Sequence, residues 1–510
     1  MEIDRFVWYL KIHNIKEKGI HNMEYKLNGF QPKQALHFFE EISAIPRGSG
    51  NEAAVADYLV QFASARGLAC IRDRANNVII YEKGTHGGED KPPVILQGHI
   101  DMVCEKVAGS THDFIKDGID IRIGPDGWAT ADGTTLGADD GAGAAAILAI
   151  LDDADQPHPP IEAVFTAGEE IGFVGASQLD FSRLSARRMI NLDSEDEGVA
   201  CVSCAGGMEY YFDTNIVREE KAGTLFQIEI CGLLGGHSGS DIDLDRVNAI
   251  KLAGRIANHM IQHRDACIVD FSGGTKDNAI PREASCTVLL PTVLAELTED
   301  DLLALIDSIQ KEYASSEPDL KITVTRIDGR VVSALTRADS LRLIGAVLLA
   351  PNGVQRRDPT QNNFVITSLN LGILRVGANH IKFTFAPRSS IDSLQDATLE
   401  ALQLTADTFG FETSTAGVYP GWEYVPNSVL RDTFCESYRS LFGDELRIEG
   451  IHAGLECGLF AQNLPGLDAI SVGPTLRNVH TPDEAFDLAS NEKFFRLICD
   501  VLTRLAKEDL

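Results

Sequence analysis

Three short apolar runs, each ending in a histidine or an acid, restrict the folds open to this chain of 510 residues more than any other feature. Val94–Gln97 leads into Gly98-His99-Ile100-Asp101, Ile161–Thr166 into Ala167-Gly168-Glu169-Glu170, and Arg188–Leu192 into Asp193. Apolar runs of this length with turn residues at their edges predict buried strands. If Val94–Gln97 is such a strand, the period of two sends His99 and Asp101 to one side just past its end, as a ligand and the carboxylate that orients it. Between the runs, the small and apolar residues of Gly141–Leu151 predict a buried helix. Asp139 and Asp140 stand at its amino end, where free N–H groups and the helix dipole favour carboxylates. Strands alternating with helices, with polar residues gathered at the strands' carboxyl ends, describe an α/β sheet that binds its ligand there.

Composition narrows the function. A net charge of −30 and a pI near 4.8 argue against nucleic acid or an anionic membrane as partner, because the long-range field repels both. Ten cysteines without framework spacing predict reduced thiols, and the lone CxxC of Cys201 and Cys204 carries no zinc or redox site by itself. No apolar stretch approaches a membrane span and the first residues lack a signal-peptide layout, so a cytoplasmic location is expected. Residues 1–22 read as a peripheral extension, with Met23 able to serve as a start.

A chain this long needs more than one core. Residues 207–417 read as an inserted α+β domain made of two βαββαβ-like passes, the second starting near Gly329. After Pro420 come a helix, a strand near Asp468–Val472, a loop carrying His480 and a closing helix. These pieces have too little apolar surface for a core of their own and should complete the first sheet, which brings His480 beside the acids. The expected organisation is therefore a discontinuous domain, 23–206 with 418–510, interrupted by 207–417.

His99, Asp139, Glu169, Glu170, Asp193 and His480 together suit two zinc-like ions, each with one imidazole, with a carboxylate bridging them and a position left for water. One acid is then surplus. Neighbouring Glu169 and Glu170 should not aim at one point, so Glu170 is assigned to a metal and Glu169 to the water as general base.

The motifs GHIDMV, TLGADDGAGAA, FTAGEEIGFVGA, NLDSEDEG, GLLGGHSG, NAIPREA, HAGLECG and HTPDE follow one another in the order found in the co-catalytic zinc exopeptidases, which include aminoacylases, peptidase T and cytosolic dipeptidases. The chain resembles that family from about Gln31 to its end, and within it the branch that cleaves Xaa-His, including beta-alanyl-histidine, or a broad range of free dipeptides. The resemblance implies a mixed-sheet catalytic domain flanked by helices with an inserted lid, and two divalent ions, zinc before cobalt or manganese. It implies that Asp139 bridges, that His99 and Asp193 hold one ion and Glu170 and His480 the other, that Asp101 clamps His99, and that Glu169 is the base. From the lid, His237 is expected to polarise the scissile carbonyl, with Asn278 and Arg388 in substrate recognition and Gly454 as a backbone contact. His452, Glu456 and Cys457 read as packing and supporting groups. Asp140, where many relatives carry Asn, and Asp243, where close relatives often carry His, depart from the pattern. Small peptides are the expected partners, for a monomer or a homodimer. The doubled insert suggests that one chain can present its own His237. N-acyl-amino-acid deacylation, aminotripeptidase activity and non-catalytic metal binding are the alternatives, the last opposed by Glu169, a carboxylate idle outside catalysis.

Overall fold

The structure, a computed structural model, describes residues 24–359 and 364–507, so the extension read in residues 1–22 lies outside it. Two compact units form. The first takes the described parts of Met1–Val202 and Leu459–Leu510 with Val425–Glu449; the second takes Ser203–Tyr424 with Gly450–Gly458. Among the described residues no helix is long and apolar enough to cross a membrane, and all ten cysteines are free.

The first unit is built on an eight-stranded mixed sheet in the order Ala69–Arg72, Val78–Glu82, Ile161–Thr166, Val94–His99, Arg188–Asn191, Asp468–Ser471, Val199–Cys204, Arg447–Ile451. Its centre is parallel: Val94–His99 lies between Ile161–Thr166 and Arg188–Asn191, and the latter pairs in parallel with Asp468–Ser471. The three carboxyl ends that carry His99, Glu169–Glu170 and Asp193 therefore leave the sheet at the same end of its strands. Every residue of Val94–His99 and of Ile161–Thr166 is buried, as strands covered on both faces require. The late strand Asp468–Ser471 completes this sheet.

The helix Ala138–Asp152 is enclosed from Asp140 to Leu151. Its alanines and glycines let it lie close to Val94–His99 and to the helix Lys33–Ser43, which buries Leu36, Phe38, Phe39 and Ile42. A separate small sheet pairs Leu476–Arg477 with Ala485–Asp487 and joins the latter to Trp128–Ala131. Residues 478–484 are thus a hairpin loop with both ends fixed, and His480 sits in it.

The second unit is an antiparallel sheet ordered Lys321–Leu335, Arg218–Cys231, Ala284–Leu290, Cys267–Gly273, Phe364–Val376, His380–Ser389, Gly206–Asn215, Glu412–Tyr419, with Gly353–Asp358 added beside Phe364–Val376. Two halves meet at a short seam, Ser272 and Gly273 against Arg375 and Leu374. The halves do not follow the chain, because Gly206–Asn215 pairs in the far half, between His380–Ser389 and Glu412–Tyr419. Nor does the chain break at Gly329: one strand runs through it from Lys321 to Leu335. The helices Ala249–Arg264, Ala295–Tyr313, Arg337–Leu349 and Asp392–Phe409 bury one side against a core that includes Phe212, Phe226, Phe271, Phe383 and Leu402. Asn248 and Thr336 cap two of them by accepting N–H groups of the first turn.

Candidate metal centre

The parallel centre of the first sheet and the 478–484 loop converge on Asp139. One oxygen of Asp139 lies 2.9 Å from His99 Nε2 and the other 3.0 Å from His480 Nε2. Asp193 Oδ1 stands 3.6 Å from His99 Nε2, and Glu170 Oε2 stands 3.0 Å from His480 Nε2. Two sets of donors therefore share one carboxylate: His99, Asp139 and Asp193 on one side, Asp139, Glu170 and His480 on the other, the donor atoms of each set within 4.8 Å of one another. Local backbone produces this placement. Asp139 has ψ 112° within the first turn of its helix, and His480 has φ +63° at the turn of its loop.

His99 is held from behind. Its Nδ1 lies 3.5 Å from Asp101 Oδ1, which leaves Nε2 facing Asp139 and Asp193. Asp101 is fully buried and accepts hydrogen bonds from Ser49 Oγ at 2.8 Å and from the N–H groups of Glu169 at 3.0 Å and Glu170 at 3.3 Å. One carboxylate thus orients the imidazole and the loop that carries both glutamates. That loop closes tightly, with Val174 N–H bonded to Gly168 O and Gly175 N–H to Ala167 O. It corrects one expectation, because Glu169 and Glu170 do converge: each offers an oxygen within 4.8 Å of the other's and of His99. Alternation separates neighbours on a strand, but these two lie on a turn beyond it.

The electrostatics are those of a cation site. Burial opposes a charge on His99, yet Asp193, Asp101 and Asp139 outweigh it and hold the imidazole well above its ordinary pKa. Hydrogen bonds to Asp139 and Glu170 push His480 up to about 11. Burial raises Asp193 to about 7, while Asp139, although buried, is drawn below the ordinary carboxylate range by His480 and His99. Protons collect here because carboxylates outnumber cations. Glu170 Oε1 is buried with no hydrogen-bond partner, an expensive state that a bound cation would relieve. The donor set, with two imidazoles, carboxylates and no thiol, fits two divalent ions of the zinc type.

Asp140 does not join the set. Its oxygens accept the N–H of His99 at 3.2 Å and of Gly143 at 3.0 Å, and burial with the nearby charge of Asp193 holds its carboxyl well above the usual range. Asp243 is exposed in a short turn.

The remaining candidates lie in the second unit. His237 Nδ1 accepts the N–H groups of Gly239 at 3.2 Å and Ser240 at 3.1 Å, and Asp241 Oδ2 accepts the His237 N–H at 2.8 Å. Nε2 must then carry the ring proton. Burial and the charge of Arg388 lower the pKa of His237. Arg388 is buried and donates to Tyr419 Oη at 2.8 Å. Asn278 is exposed, and its carbonyl accepts the Ser238 N–H at 2.8 Å. Gly454 is half-buried in the segment 450–458, in which His452 Nε2 lies 2.7 Å from Ser368 Oγ. Burial and Arg388 press His452 down to about 3.

Sequence reading passed over Arg47, Ser49 and Glu484. For Arg47 and Ser49 the available signal was an arginine beside a run of small residues. Glu484 stood within the quoted motif HTPDE without a role.

Comparison with known proteins finds a matching family and relatives. The family described as Peptidase family M20/M25/M40 matches residues 95–506. The cytosol non-specific dipeptidase of Escherichia coli is 36% identical over 484 residues, 94% of this chain and 99% of that protein. The crystal structure of aminoacylhistidine dipeptidase from Vibrio alginolyticus superposes with a TM-score of 0.87 at 37% identity, covering 94% of this chain and 97% of the other. A tripeptidase from Staphylococcus aureus shares the fold at a TM-score of 0.55 and 18% identity, with 94% of this chain and 100% of that one covered.

Proposed function

The chain belongs to peptidase family M20/M25/M40, and from that premise we propose that it is a metallo-dipeptidase that hydrolyses free dipeptides, of the Xaa-His type or more broadly. The observation that carries the reading is the single carboxylate of Asp139 within 3.0 Å of both His99 and His480. Two divalent ions, zinc before cobalt or manganese, would supply Lewis-acid polarisation of the peptide carbonyl and activation of the attacking water. His99 with Asp193 would hold one, His480 with Glu170 the other, and Asp139 both.

The protein's own part is to orient and to move protons. Asp101 fixes which imidazole nitrogen of His99 faces the centre. Glu169 accepts the proton of the attacking water on its carboxylate and returns it to the departing amine. His237, with its proton on Nε2, is a neutral donor suited to the developing oxyanion of the scissile carbonyl. The Arg388 guanidinium suits the terminal carboxylate of a free peptide, with Asn278 and the backbone at Gly454 as further substrate contacts.

A substrate panel tests this reading. Metal-stripped protein is given zinc, cobalt or manganese and assayed on free dipeptides including Xaa-His, on tripeptides and on N-acetyl amino acids. Metal-restored cleavage of dipeptides above the other two classes is expected. Preference for N-acetyl amino acids or tripeptides would reassign it to deacylase or aminotripeptidase, and no turnover with any metal would leave a binding protein.

A further inference from the structure

Gly137, two residues before Asp139, is gripped from both sides by buried charges that no step above uses. Glu484, 2% exposed, accepts three successive backbone N–H groups: Leu136 at 2.7 Å and Gly137 at 3.0 Å on Oε2, and Ala138 at 2.8 Å on Oε1. Arg47, 1% exposed, donates to the carbonyls of Ile100 at 3.1 Å, Asp101 at 2.8 Å and Gly137. The fit leaves no room for another side chain, since Gly137 has φ +70° and a Cβ there would stand 2.7 Å from Arg47 Nη2 and 2.8 Å from Met102 Sδ.

We infer that Arg47 and Glu484 are positioning residues that tie the His99, Asp139 and His480 segments together at Gly137 and so set the spacing of the two metal sites. Arg47 joins the segment after His99 to the one before Asp139. Glu484 joins the segment before Asp139 to the loop of His480, four residues upstream of it and bound by the turn in which Glu484 N–H donates to Thr481 O at 3.1 Å. The bridging carboxylate is thereby fixed relative to an imidazole on each side. A buried carboxylate and guanidinium, with three amides and three carbonyls as partners, give the segment almost no alternative conformations. Groups that touch no ion but hold its ligands in place typically govern metal affinity by about 10–100-fold.

This inference rests on the two-ion reading, and the experiment separates the two by measuring metal without substrate. Cobalt is titrated into metal-stripped wild type, Glu484→Gln and Arg47→Lys, with stoichiometry and affinity read by calorimetry, the visible cobalt spectrum recorded, and the fold of each metal-free protein checked by circular dichroism and thermal melting. Glu484→Gln turns one acceptor oxygen into a donor facing an N–H, and Arg47→Lys keeps the charge but loses the planar fork. The expected result is two cobalt ions in wild type, and in both folded variants at least one ion weakened by about 10–100-fold with an altered spectrum. Wild-type affinities and spectrum in both variants would overturn the inference, as would loss of the fold in both metal-free variants, which would make the pair merely structural. Fewer than two ions in wild type would overturn the two-ion reading and this inference with it.

Discussion

Two pairs of histidines, one in each unit, are treated in opposite ways. In the first, His99 and His480 lie among carboxylates and are held protonated, His480 up to about 11. In the second, burial and Arg388 lower His237 and press His452 down to about 3. The same side chain is thus tuned toward charge in one place and neutrality in the other. An excess of negative charge makes a place for cations; a buried guanidinium makes imidazoles that can only exchange hydrogen bonds. The contrast supports the proposed roles, ion holding for the first unit and recognition of a polar substrate for the second.

The largest expected effect is metal removal. Chelation should abolish turnover, and zinc, cobalt or manganese should restore it. Because the metal-free site holds protons on His99, His480 and, at about 7, Asp193, ion binding must displace them. Apparent affinity should therefore fall on acidification, by about tenfold per pH unit for each proton released. Calorimetry in buffers of different ionisation enthalpy reads that release directly; an affinity flat between pH 8 and 6 would break the contrast on its first side.

His237→Ala should come next. With no ligand removed, the bound metal should match wild type, while kcat/KM falls by about 10²–10³, the usual cost of losing one donor to a developing oxyanion. Loss of metal in this variant would erase the division of labour between the units.

The smallest effect is on stability. The unfolded chain protonates His452 below its ordinary pKa of 6.5, whereas the folded chain resists until about 3. Folding is therefore unpenalised above 6.5 and weakens as pH falls below it, by about 1.4 kcal/mol per unit, or about 2 kcal/mol at pH 5. His452→Gln, compared with wild type by urea denaturation at pH 7 and pH 5, should lose that part of the acid sensitivity. An unchanged pH slope would mean that His452 is not held neutral.

Much of the first unit was legible in the sequence because its strands are buried on both faces. Runs such as Ile161–Thr166 are then continuous and apolar, and their ends are marked by acids. The return of Asp468–Ser471 to the sheet followed from too little apolar surface to stand alone. The second unit was harder to read. Gly206–Asn215 alternates weakly and pairs with strands far away in sequence, and a glycine at 329 looks like a break although a single strand, Lys321–Leu335, continues through it across a bulge at which the glycine has φ +64°. At the site, His99, Asp139, Glu170, Asp193 and His480 stood out by residue type. Arg47 and Glu484 did not, because their partners are backbone groups of Ile100, Asp101 and Leu136–Ala138, which leave no pattern in side-chain identity. The convergence of Glu169 with Glu170 was hidden for a related reason: it depends on the turn at Gly168, not on strand alternation.

The division of roles between those two glutamates is the most direct test of the account. Glu169→Gln and Glu170→Gln are prepared side by side, with bound metal counted by mass spectrometry of elements and turnover measured on one dipeptide. Glu169→Gln should keep both ions and lose turnover by about 10²–10⁴, the usual scale of general-base catalysis, whereas Glu170→Gln should lose an ion. Metal loss in Glu169→Gln with full metal in Glu170→Gln would contradict the assignment of base and ligand.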